Sequence, residues 1–86
     1  RQINYLKMSR YTIQKDNKKL VYGFDHALGY FYDITNTEEP EDSRNHLIEE
    51  KSSFINKMTR GDFAEVLISW GARKQHLTAL ALDQPF

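Results

Sequence analysis

Apolar side chains fall two apart through the first half of this chain and three or four apart through the second. That change of period constrains the fold more than any other feature of the sequence. Tyr11 and Ile13 alternate with Thr12 and Gln14, and Asp16-Asn17-Lys18 then supplies residues that favour a reversal. From Lys19 the alternation resumes, with Leu20, Tyr22, Phe24 and His26 on one face and Val21, Gly23 and Asp25 on the other. Ala27-Leu28-Gly29 permits a second reversal. A third run puts Tyr30, Tyr32 and Ile34 on one face and Phe31 and Asp33 on the other. Both connections are too short for a parallel crossover, so the spacing predicts a three-stranded antiparallel β-meander over about 10–34.

Thr35 to Asn45 is an acidic loop with a proline and no periodicity, expected to be the least ordered stretch. His46 to Glu49 reads equally as a short extended piece or as the lead into a helix. Ser52 or Ser53 then caps a short helix through Met58, with Phe54, Ile55 and Met58 at helical spacing. Phe63, Val66, Leu67 and Trp70 recur at i, i+3, i+4 and i+7, predicting a helix over 61–70 that Gly71 stops. A last helix over 74–82 carries Leu77, Leu80 and Ala81 on one face, and Pro85 ends it.

A small sheet with one apolar face does not stand alone in water, and the helical stripes also need cover. The economical solution is one α+β domain over 1–86, with two to three short helices packed on one face of the meander in two layers. Its 86 residues, 40% of them hydrophobic, suffice for one modest core. Residues 1–9 are read as an unordered or upstream lead, because Met8-Ser9-Arg10 makes an ordinary start.

Without cysteine the chain has no disulfide framework and no thiolate zinc site, and the expectation is a cytoplasmic protein. No apolar run is long enough to cross a membrane as a helix, and no leader pattern is present. The balance of 12 basic and 12 acidic residues hides an asymmetry. Six basic residues and one acid fill positions 1–19, whereas seven acids face one arginine over 33–50. Strong nucleic-acid affinity needs a net basic face, which only the N-terminal third supplies.

The residues with chemical potential do not assemble into a catalytic pattern. Asp25 and His26 are neighbours on a strand and point to opposite faces, so the carboxylate is badly placed to orient the imidazole. Asp25 is better read as bonding the turn, with His26 at the rim. His26, His46 and His76 lack the paired spacing of zinc motifs, and no serine lies in a nucleophile elbow. Gly23 and Gly29 lead into a strand rather than a helix, against what a phosphate loop requires. Arg60-Gly61-Asp62 matches an integrin-recognition tripeptide, but Asp62 is better explained as a charge at a helix start. No catalytic residue, metal site or cofactor is assigned.

What remains is the ring-rich segment YGFDHALGYFYD, positions 22–33. The leading expectation is a non-enzymatic interaction module that binds a protein partner, or a second copy as a homodimer, through an aromatic sheet face or an edge strand. Tyr22, Phe24, Tyr30 and Tyr32 would supply its contact area. The alternative is single-stranded nucleic acid stacked on the same rings, with Lys18 and Lys19 of the hairpin turn meeting phosphates. A small hydrolase using His26 with Asp25 ranks third.

Overall fold

Four strands precede three helices. They are β1 (Ser9–Lys15), β2 (Lys18–Asp25), β3 (Gly29–Asn36), β4 (Leu47–Ser52), α1 (Ser53–Asn56), α2 (Arg60–Trp70) and α3 (Lys74–Ala81). This computed structural model describes residues 9–84 and 86, so the expectations for residues 1–8 and for Pro85 lie outside the described residues. The strands form one antiparallel sheet in the order β1-β2-β3-β4.

Asp16 turns the first hairpin with φ 57, a left-handed conformation that Asp tolerates. The second reversal is closed by the Asp25–Gly29 pair, with Gly29 at φ 76. Gly23 is required by a close approach: a Cβ there would overlap the Ser9 carbonyl of the neighbouring strand.

The expected three strands are corrected to four. The fourth was hidden because its alternation is broken: Ile34 pairs with Glu49 and Thr35 with Leu47, so Ile48 is passed over as a bulge. Its Glu-Glu-Lys run also carries little of the apolar signal that marks a strand. The acidic loop is more ordered than its composition suggests. Asn36 Oδ1 accepts from Glu38 N at 3.0 Å, and Ser43 Oγ accepts from Asn45 N at 3.1 Å. His46 Nδ1 donates to the Glu39 carbonyl at 3.1 Å.

α2 and α3 lie across one face of the sheet. Leu20, Tyr22 and Tyr32 meet Met58, Phe63, Leu67 and Leu80 there in a single buried cluster. Phe63 and Leu67 are the buried residues of the helical stripe, and Val66 and Trp70 pack against its margin. Thr59 and Asp62 form a capping box, each side chain accepting from the other's backbone N–H, a contribution of about 1 kcal/mol. Gly71 ends α2 at φ 74.

Candidate functional site

The sheet register decides which rings are available. Tyr11, Tyr22, Tyr32 and Lys51 form one cross-strand row, and Phe24 sits beside Tyr30 in the next. Both rows lie on the helix-covered face. Tyr22 and Tyr32 are accordingly 1% and 3% exposed, part of the core rather than of any free surface. Phe24 and Tyr30 are half-buried at the end of the same face, their rings 5.5 Å apart. Tyr30 donates from its hydroxyl to Asp83 Oδ1 at 3.1 Å. Of the four rings expected to form a docking face, Tyr22 and Tyr32 are in the core and Tyr30 packs against it, while Phe24 is half-buried beside Tyr30.

The two lysines lie at the opposite end of the sheet. Lys18 is exposed and Lys19 half-buried, and both pair with the end of β3, where the acidic loop begins. Thr37 N donates to the Asn17 carbonyl at 2.8 Å, fastening that loop onto the lysine turn. Acidic residues thus stand beside the basic hairpin and reduce its attraction for phosphates.

Asp25 Oδ1 accepts from Ala27 N at 2.7 Å and from Leu28 N at 3.3 Å, so its carboxylate is used in closing the turn while His26 stands exposed. Among the described residues no group of three His, Asp or Glu side chains is placed to hold a metal ion.

The sheet face opposite α2 and α3 presents a different set of residues, with Val21, Phe31 and Ser52 buried on it. Its rows are Arg10, Gly23, Phe31 and Ser52, then Thr12, Val21, Asp33 and Glu50. Phe31 is the only ring of the 22–33 segment on this side. It is 5% exposed beneath the Arg10 guanidinium, which lies 5.7 Å from the ring centroid. Asp33 and Glu50 stand directly opposite each other on neighbouring strands, an unfavourable like-charge pairing. Burial first, and then the Glu50 charge, push the Asp33 carboxyl up, and Arg10 opposes them. Leu28 and Ile55 close this side as a depression of about 270 Å³ with Arg10, Phe31, Asp33 and Glu50.

Beside the depression projects α1. None of its residues is buried, and Phe54 and Ile55 are 65% and 70% exposed. The turn is nevertheless firmly held. Ser52 Oγ accepts from Ile55 N at 3.3 Å, and Asn56 Oδ1 accepts from Ser52 N at 2.8 Å. Phe54 N donates to the Leu28 carbonyl at 3.1 Å, and Ser53 Oγ donates to the Tyr30 carbonyl at 3.4 Å. Lys57 ends the turn in a left-handed conformation at φ 56, which costs a residue with a Cβ about 1–2 kcal/mol.

The chain matches no family model, no curated protein and no solved structure. Its own geometry therefore carries the functional argument.

A second depression, of about 540 Å³, lies between β4 and α2, with Tyr32, Glu49, Asp62 and Glu65 among its lining. Burial, then the Glu49 and Asp62 carboxylates, push the Tyr32 phenol up to about 12. A phenol shifted upwards stays protonated at neutral pH, the opposite of an activated nucleophile or base. Glu49 is paired with Lys51 at 3.6 Å, and Asp62 is occupied in the helix cap. Among the described residues no helix is long and apolar enough to cross a membrane.

The sequence reading missed Phe54 and Ile55 as contact residues. Their spacing with Met58 reads as a helical core stripe, but α1 ends at Asn56, and Met58 beyond it is buried while Phe54 and Ile55 are exposed.

Proposed function

We propose that this protein is a small interaction module that acts by binding a protein partner rather than by turnover. Its docking surface is the α1 turn together with Asp33 and Glu50 on the sheet face beside it. The observation that carries this reading is the exposure of Phe54 and Ile55, 65% and 70%, on a turn that buries none of its own residues yet is hydrogen-bonded on both sides. Large apolar side chains fixed in water contribute little to folding, and such exposed patches mark contact sites. A turn whose backbone is already held also loses little backbone freedom on binding.

The chemistry beside the turn indicates the partner. Asp33 and Glu50 repel one another next to the apolar wall of Leu28, Phe31 and Ile55. A partner segment that brings a lysine or arginine between them, with an aliphatic or aromatic side chain against Phe54 and Ile55, relieves the repulsion and covers the patch. The burial of Tyr22 and Tyr32 favours this reading over the nucleic-acid alternative, which would stack bases on them.

The test immobilises the full chain and a Phe54→Ser/Ile55→Ser variant, and exposes both to extract of the native host. The reading expects a discrete protein retained by the wild type and lost by the variant, with both baits showing the same circular dichroism and melting temperature. It further expects Asp33→Asn/Glu50→Gln to weaken binding of that protein and flatten its salt dependence. Identical retention by wild type and Phe54→Ser/Ile55→Ser variant contradicts it.

A further inference from the structure

The two edges of the sheet are protected unequally. The β4 edge is broken by the Ile48 bulge and carries Glu49, Glu50 and Lys51, devices that keep an edge from pairing with another strand. The β1 edge has no such bulge among the described residues, and its Arg10 is drawn inward over the Phe31 ring. Its seven residues pair with β2 in unbroken register, without proline or bulge. A lysine often guards such an edge, but Lys15 is drawn back onto the helical layer. Its Nζ donates to the Ser69 carbonyl at 3.3 Å and lies 5.8 Å from the Trp70 ring centroid.

The residues of β1 are also self-complementary. Antiparallel pairing of two copies about Thr12 sets Tyr11 against Ile13 of the second copy, Arg10 against Gln14 and Ser9 against Lys15. No like charges meet, and the half-buried apolar pair Tyr11 and Ile13 gains cover on the helix side. A notch of about 140 Å³ already borders that side of β1, lined by Tyr11, Ile13, Gly71, Arg73 and His76, and leaves room for the incoming side chains.

We infer that β1 is a self-association edge: two copies join antiparallel about Thr12, turning two four-stranded sheets into one continuous sheet with the helices of both on the same side. This surface is separate from the Phe54–Ile55 turn and stands or falls independently of the docking reading.

The experiment is sedimentation equilibrium of the full chain over a concentration series, with Thr12→Lys and Thr12→Glu variants. Thr12 is exposed, so either change leaves the monomer fold intact while placing two like charges face to face at the two-fold axis. The wild type is expected at twice the 10.2 kDa chain mass. Each variant alone should dissociate with a constant raised more than about tenfold, because like-charge contacts at an interface are strongly unfavourable. Mixing the two variants should restore the doubled mass, which a misfolded variant would not do. A wild type that stays monomeric at millimolar concentration overturns the inference. So does a dimer indifferent to both Thr12 charges, or a mixture that fails to reassociate.

Discussion

The Tyr22 hydroxyl meets Nδ1 of His76 at 2.6 Å within the core, tying the second strand to the last helix. Burial, and then the Arg73 charge, lower the His76 pKa, which favours the neutral ring in this hydrogen bond. The Tyr11 ring lies 4.1 Å from the imidazole and the Phe86 ring stacks on it at 5.1 Å, which leaves little room for a hydrated cation.

This pair sets a pH dependence of stability. As pH falls below the ordinary histidine value of about 6.5, the unfolded chain takes up a proton before the folded one does. The stabilisation is full above that value and is lost as pH falls through the lowered folded value. Thermal unfolding at pH 7.5 and 5.5 should show a lower melting temperature at the acid end. His76→Gln, which lacks the titration, should flatten the difference; an equal slope in the variant would show that His76 is not responsible.

Asp33 titrates in the opposite sense. Its folded pKa is raised, so the unfolded chain ionises first as pH rises, and the charged carboxylate weighs against the fold at neutral pH. Asp33→Asn should therefore be neutral or stabilising in urea unfolding at pH 7, with any gain gone below about pH 3.8. A loss above about 1 kcal/mol at pH 7 would mean that Asp33 makes a structural bond. A charge retained against stability beside the α1 turn fits the proposed docking surface.

Gly29 links fold and docking surface. At φ 76 an alanine is strained, and its Cβ would lie 3.1 Å from the Phe54 ring and 3.0 Å from the Ser53 Cβ. Gly29→Ala should lower stability by more than about 1 kcal/mol and displace the α1 turn. Hydrogen exchange at Phe54 and Ile55 should accelerate in the variant more than exchange at the centre of β2. Unchanged exchange at these two amides would contradict this account of the turn.

Two phenylalanines separate folding from docking. Phe63 is fully buried against Tyr22, Tyr30 and Tyr32, and Phe63→Ala should cost about 3–5 kcal/mol in chemical denaturation. Phe54→Ala should stay within about 0.5 kcal/mol of wild type. Comparable losses at both positions would mean that Phe54 belongs to the core.

The α+β class and the two principal helices were legible because their signals are local. The apolar stripe from Phe63 to Trp70 and the stop at Gly71 reappear as α2 and its left-handed cap. The facing of the rings was not, because it depends on how two strands pair. With a three-residue loop between Asp25 and Gly29, Tyr22 faces Tyr32 and both turn inward; a loop one residue longer or shorter would have set them on opposite faces. β4 was obscured by its bulge, and the docking turn by residues whose spacing imitates a core helix. Thr35 Oγ1 is buried without a hydrogen-bond partner among the described residues, and we have no physical account of it.

The account rests on α1 as the contact surface, and cross-linking in the native host addresses this most directly. A photoreactive amino acid at position 54 should yield one discrete protein adduct. The same group at position 78, exposed on α3, should yield none. Equal adducts at both positions, or none at position 54 while the chain remains folded, would contradict the claim that Phe54 and Ile55 dock a partner.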